Sequence, residues 1–449
     1  MALLPRVLER ITPTPAEELE MRALIDRVTA AARATGIPHT LAGSFTRGTW
    51  MRDKREVDLF LLFPPTLSRA QLEQRGLATA RRIVRALRGK AALAFAEHPY
   101  LRAQVGKFQL DLVPCYHVKD PTKLQSAVDR TPFHNHYLAK HFPATLAPEV
   151  RLLKQFLKAG GLYGSDARTE GFSGYLCELL ILRYRSFDAL IRDAAAWTPG
   201  HRVDLAGHGA GEWPRQPLIV VDPVDPRRNV AAVLSPAAFA AFASRCRQFI
   251  ARPGERFFFP RPLPPKPAAL LRLLRSRGTR PLALAFPRPN VVDDIVFPQL
   301  RRSAGRLEAI LQEAEFRVLG TAVHADARQC LILLELETWS LPSIRKVVGP
   351  PLFVRQHADE FRAKYRKGKL WIEGDRWVAE TARIFPQAET LLRQLLRTPP
   401  AKLEARGIAS FPAKGFRRAR LLEAPALAAL ARDPQVAAFL RQYLTRDID

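Results

Sequence analysis

Two neighbouring stretches, Gly43-Ser44-Phe45-Thr46-Arg47-Gly48-Thr49-Trp50 and Glu56-Val57-Asp58-Leu59-Phe60-Leu61-Leu62-Phe63, decide how this chain reads. The second reads as a strand whose latter half is apolar on both faces, the pattern of a central position in a sheet. Strand alternation puts Glu56 and Asp58 on one face and Val57 on the other. Two carboxylates side by side at the head of an apolar strand repel each other, and divalent metal is the natural neutraliser. Asp111, within the apolar strand Phe108-Gln109-Leu110-Asp111-Leu112-Val113, faces a similar burial cost and can share the same ions.

Three such carboxylates suit two Mg²⁺ ions about 3.5–4 Å apart, one activating an attacking hydroxyl and one binding triphosphate oxygens and the leaving pyrophosphate. Gly43-Ser44 fits the other half of that chemistry. Glycine lets backbone approach a phosphate, Ser44 offers a hydroxyl and an amide, and Arg47 follows one helical turn later. A Gly-Ser pair alone is usually a turn, and a Glu-x-Asp alone is usually a solvated strand edge. Their combination with a later strand aspartate points to metal-dependent nucleotidyl transfer.

Around this centre the elements alternate. Thr14-Pro15-Ala16-Glu17 is a capping box opening a helix that stops at Gly36. A strand over 37–42, the strand 56–63, a helix over 72–87 with a basic face, and a hairpin over 100–116 make the first module α/β or α+β. From Pro148 the pattern turns helical, over 149–158, 174–193 and 237–250, with a turn at 222–226. The proline-dense Pro253–Pro267 reads as a linker. Beyond it helices over 268–277, 299–315, 359–367, 386–397 and 425–444 mix with strands at 281–286 and 330–337 and a hairpin over 369–378.

The composition sets the partner. The 449 residues predict about three domains at roughly 150 residues each. Lys and Arg exceed Asp and Glu by 27 charges, which favours a polyanion, nucleic acid ahead of an anionic membrane surface. The excess is spread: 35 basic against 23 acidic side chains over residues 1–250, and 35 against 20 over residues 251–449. Cys115, Cys177, Cys246 and Cys330 form no zinc-ligand pattern and read as buried reduced thiols, consistent with the cytoplasm. Met1–Arg10 lacks a signal-peptide core, and no stretch approaches the roughly 18 apolar residues of a membrane span.

The motifs resemble the polymerase-β nucleotidyltransferase superfamily and, within it, the archaeal-type (class I) CCA-adding enzymes. Beyond the triad, Asp111-Leu-Val-Pro-Cys-Tyr116, Ser126-Ala-Val-Asp-Arg-Thr-Pro-Phe-His134, Arg151-Leu-Leu-Lys154, Gly171-Phe-Ser-Gly-Tyr-Leu-Cys-Glu-Leu-Leu180, Val221-Asp-Pro-Val-Asp225 and Arg228-Asn-Val-Ala231 are similar to that family. So is Asn290-Val-Val-Asp-Asp294 with Pro298-Gln-Leu300. The likeness runs from about residue 14 to at least residue 300. Phe45 departs from it where the family often has tyrosine.

The resemblance implies an α+β multidomain chain: a catalytic head (1–140), a helical neck (141–253), a body (254–320 with 398–449) and a tRNA-binding tail (321–397). It implies template-independent addition of CCA to the tRNA 3′ end from CTP and ATP. Carried over by position, Glu56, Asp58 and Asp111 hold metal. Gly43, Ser44, Arg47, His134, Lys154 and Tyr163 bind the nucleotide, and Arg228 contacts the base. The partner is the acceptor arm and elbow of tRNA; pairing of two copies is left open. The basic, aromatic run Arg362–Trp377 and the cluster Lys414–Arg420 suit RNA contact, because A-form RNA is bound mainly through shape, phosphate and 2′-hydroxyl groups. A poly(A) polymerase or another terminal nucleotidyltransferase is the near alternative, and an inactive RNA-binding protein the distant one.

Overall fold

The fold is described from a computed structural model, over residues 3–95, 98–209, 211–260 and 267–445. The chain divides into two compact units, Met1–Pro262 and Leu263–Asp447. Of the expected proline linker Pro253–Pro267, residues 261–266 lie outside the described residues, while Phe257 and Phe258 before them are buried in the helical core rather than free in a linker.

The first unit opens with helices α1 (Leu3–Ile11) and α2 (Pro15–Arg33). Thr14 and Glu17 close the capping box around α2, Glu17 amide to Thr14 Oγ1 at 3.2 Å and Thr14 amide to Glu17 Oε2 at 2.9 Å. Strands β1 (His39–Ala42) and β2 (Glu56–Phe63), helix α3 (Arg69–Ala86), and strands β3 (Lys90–Phe95), β4 (Pro99–Val105) and β5 (Phe108–Tyr116) follow. They form one sheet in the order β1-β2-β5-β4-β3, in which β2 and β5 are the parallel neighbours. Leu59, Leu61, Leu110 and Leu112 on one face of that central pair are fully buried against α2 and α3. The opposite face carries the carboxylates.

Helices α4 (Thr131–His141), α5 (Ala147–Ala159), α6 (Gly174–Tyr184), α7 (Phe187–Ala194) and α8 (Pro236–Ala251) enclose a second core. Val7 and Ile11 of α1 belong to it, together with a group of phenylalanines around Phe156. This part is not purely helical. Strands β6 (His201–Asp204), β7 (Leu218–Asp222) and β8 (Asp225–Asn229) form a small sheet, so the expected 222–226 turn joins two strands.

The helix expected over 174–193 is two helices. Arg185 adopts a left-handed backbone (φ +69°) that ends α6, and Ser186 caps α7 by accepting from the Ala189 amide at 3.1 Å. A local capping pattern therefore overrides the apolar periodicity.

The second unit contains α9 (Pro267–Ser276), β9 (Arg280–Pro287), α10 (Asp293–Glu313), β10 (Val318–Ala325), β11 (Gln329–Leu336), β12 (Ile344–Pro351), α11 (Arg355–Tyr365), β13 (Lys369–Glu373), β14 (Arg376–Ala382), α12 (Ala388–Arg397), α13 (Pro400–Ala405), α14 (Ser410–Gly415), β15 (Arg420–Leu422), α15 (Ala424–Leu430) and α16 (Pro434–Thr445). One sheet runs β10-β11-β9-β15, and another β12-β14-β13. The helix expected over 425–444 is also divided: Asp433 accepts from the Gln435 amide at 2.7 Å, and Pro434 starts α16. Asp293 pairs with Arg288 at 2.7 Å in the first turn of α10, a helix-start role.

Candidate active site

The parallel pairing of β2 and β5 sets Asp58 directly opposite Asp111, and the antiparallel pairing of β1 sets Ala42 opposite Asp58. The chain then turns at Gly43 with φ +88°, where an added Cβ would stand 2.4 Å from Asp58 Oδ2. Only glycine lets this loop lie against the carboxylate. Burial first, then the Asp111 and Glu56 charges, push the Asp58 carboxyl up to about 7. The Asp58 carboxylate makes no hydrogen bond or ion pair among the described residues, although its backbone belongs to the ladders with β1 and β5.

Asp111 is differently placed. Arg102, its partner across β4, grips it through Nε at 2.9 Å and Nη2 at 2.8 Å, and Nη2 also reaches Tyr100 Oη at 2.9 Å. Glu56 lies 3.5 Å from the Lys54 ammonium. Among the described residues no three His, Cys, Asp or Glu side chains close into a ligand set, and Asp111 is engaged by Arg102. The donor chemistry still fits a divalent cation: hard carboxylate oxygens of like charge, one of them without a protein counter-charge in contact.

Ser44–Arg47 is a single 3₁₀ turn ended by Gly48, at φ +66°. Its cation reaches into the helical half. Arg47 donates to Glu178 Oε2 from Nε at 3.0 Å and lies 2.9 Å from it through Nη2. Nη1 donates to Asn135 Oδ1 at 2.6 Å and Thr46 Oγ1 at 3.0 Å. Thr49 Oγ1 donates to Glu178 Oε1 at 2.5 Å, and buried Lys154 donates to the Thr49 carbonyl at 3.0 Å. Asn135 also donates to the Leu41 carbonyl and Arg151 to the Gly48 carbonyl. Burial holds the Lys154 ammonium below its usual range, against the attraction of Glu178. Tyr163 closes the row, its hydroxyl beside Gly174 and Lys54 over its ring at 5.8 Å; burial raises its pKa. A cavity of about 530 Å³ bordered by Thr46, Arg47, Asn135 and His136 opens alongside.

His134 and Arg228 meet elsewhere, on Asp222. His134 Nε2 and Arg228 Nη1 each donate to Asp222 Oδ2 at 2.8 Å, and the Val224 amide donates to Oδ1 at 3.1 Å. The His134 ring stacks on Tyr175 at 4.0 Å. Burial lowers the His134 pKa, opposed by its bond to Asp222. Burial opposes ionisation of Asp222, yet the His134 bond and charge, with Val224 and Arg228, hold its carboxyl below the usual range.

Glu56, Asp58, Asp111, Gly43 and Ser44 thus gather at one corner of the sheet, Arg47 of the 3₁₀ turn, Lys154 of α5 and Tyr163 of the segment after α5 lie beside them, and His134 with Arg228 forms a second cluster. Helix α4 joins the two, sending Asn135 to Arg47 and His134 to Asp222. Sequence reasoning missed Glu178, Thr49, Asn135, Arg102 and Asp222. One signal was available: Glu178 interrupts the apolar run Leu176-Cys-Glu-Leu-Leu180, where a charge must find partners.

Carboxylates opposed on parallel strands beside a glycine-turned loop define a nucleotidyltransferase of the polymerase-β type, and residues 36–134 match the nucleotidyltransferase domain family. Residues 148–259 match the tRNA nucleotidyltransferase second domain, and residues 277–402 the CCA-adding enzyme C-terminal domain. The CCA-adding enzyme of Methanosarcina acetivorans is 39% identical, covering 98% of this chain and 97% of its own. That of Methanosarcina barkeri is 42% identical over 87% and 88%, and that of Methanoregula boonei 44% over 83% and 80%. The chain belongs to the CCA-adding enzyme family of tRNA nucleotidyltransferases. Membership implies a divalent metal and nucleoside triphosphate substrates. Among the described residues no helix is long and apolar enough to cross a membrane.

Proposed function

We propose that this chain adds C, C and A in turn to the 3′ end of tRNA, from CTP and ATP and without a nucleic-acid template, releasing pyrophosphate. The observation that carries the reading is the register pair Asp58–Asp111 with Gly43 turned against Asp58. Glu56, Asp58 and Asp111 would hold two Mg²⁺ ions, which when bound supply an activated 3′-hydroxyl and neutralise triphosphate charge. Release of Asp111 from Arg102 accompanies that role.

The chain's own groups do the rest. Ser44, Arg47, Lys154 and Tyr163 bind the triphosphate, and the donors of Arg47 and Lys154, already held by Glu178, Asn135 and Thr49, need no reordering as charge develops. Arg228, oriented by Asp222, offers hydrogen bonds to a base edge, and His134 completes that cluster with Tyr175 beneath it. The basic side chains of the second unit hold the acceptor arm and elbow.

Incubation with tRNA lacking CCA and each labelled nucleotide tests the reading. Two C residues from CTP, followed by one A that requires ATP, is the expected product. Unlimited extension from ATP alone would overturn it in favour of a poly(A) polymerase. Asp58→Ala and Asp111→Ala should each abolish incorporation while tRNA binding persists.

A further inference from the structure

We propose that Glu178 is a positioning residue for nucleotide binding, one buried carboxylate that sets the directions of both Arg47 and Lys154. The inference rests on the reading of those two cations as triphosphate contacts. Glu178 is 1% exposed, in a turn of α6 where Leu176, Cys177, Leu179 and Leu180 are all buried. Burying a carboxylate there is expensive unless it is fully engaged, and both its oxygens are.

Oxygen Oε2 takes Nε and Nη2 of Arg47, while Asn135 and Thr46 take Nη1. A planar guanidinium held from three sides cannot rotate, so its direction is decided before any ligand arrives. Oxygen Oε1 takes the Thr49 hydroxyl proton at 2.5 Å, which turns the Thr49 oxygen toward Lys154 Nζ, 3.3 Å away. Glu178 therefore orients Arg47 directly and Lys154 through Thr49. The negative charge also offsets the mutual repulsion of two cations brought close to one loop.

A residue that merely ties two parts of the fold together would alter stability and leave nucleotide recognition alone. The full-length Glu178→Gln variant separates the two, because the amide keeps the shape and loses the charge. The expected result is a KM for CTP and ATP raised about tenfold, with tRNA Kd and the far-ultraviolet circular dichroism unchanged. Combined with Arg47→Ala, Glu178→Gln should add far less than its separate loss, since it acts largely through Arg47. An unchanged KM, or losses that multiply fully, overturns the proposal. Arg47→Ala without any rise in nucleotide KM would instead overturn the reading of Arg47 as a triphosphate contact. Should Glu178→Gln fail to fold, Thr49→Val tests the second arm: it should raise KM while Thr49→Ser does not, and equal KM values for the two overturn the relay.

Discussion

At Gly43 the distance to Asp58 leaves no room for a methyl group. Gly43→Ala meets both a 2.4 Å clash with Asp58 Oδ2 and a backbone at φ +88°, ψ −174° that is essentially glycine-only and costs an L side chain about 1–3 kcal/mol. Displacement of a reacting group by about 1 Å commonly costs about 100-fold in rate, so incorporation should fall by that order while tRNA affinity persists. Asp58 itself makes a pH prediction. Its carboxyl, raised to about 7, holds a proton in the folded chain that it would lose in the unfolded one. In metal-free protein its contribution to stability is therefore present at low pH and lost as pH rises through about 7. Metal competes with that proton. Incorporation should rise through about pH 7, and more Mg²⁺ should move the rise to lower pH; a rise insensitive to Mg²⁺ removes Asp58 from the competition. Asp222→Asn, which weakens the hold on Arg228, should blur the choice among CTP, ATP, GTP and UTP in single-nucleotide assays. Glu56, Asp58 and Asp111, to which we assign the proposed metal-holding role, stood out in the sequence because charges inside apolar strands are conspicuous. Asp222 and Glu178 were not read as site groups because their partners lie on elements distant in sequence, and only the folded chain brings those together.

Elements were legible where capping and periodicity agreed. β2 spans Glu56–Phe63 as expected, and α2 begins at its capping box. They were misread where a local stop sat inside a long apolar pattern, as at Arg185. That residue is exposed and adopts φ +69°. Glycine tolerates this geometry, so Arg185→Gly should stabilise the chain by about 0.5–1 kcal/mol in chemical denaturation. Ser186→Ala should cost about 1 kcal/mol by removing the α7 cap. Helix α1 and strand β3 escaped prediction for a different reason: neither carries a strong boundary signal, and α1 is held by burial of Val7 and Ile11 in the helical core.

For the molecule as a whole, the charge of +27 is distributed over both units, which suits a polyanionic partner held by many weak phosphate contacts. The tRNA dissociation constant should rise steeply with salt, by about 10³-fold or more between 50 and 200 mM if six or more phosphates are contacted. A flat dependence would assign the charge to composition alone. The pairing of β2 with β5 also bears on how the protein comes into being. Asp58 and Asp111 stand side by side only after α3, β3 and β4 have been made and folded back, because parallel neighbours require a long crossover. During synthesis the first carboxylates leave the ribosome well before their mate. On the proposed role of these carboxylates, the nascent head would have no complete metal site until β5 had emerged and docked, and the ability to capture metal would mark the closing of that sheet in time.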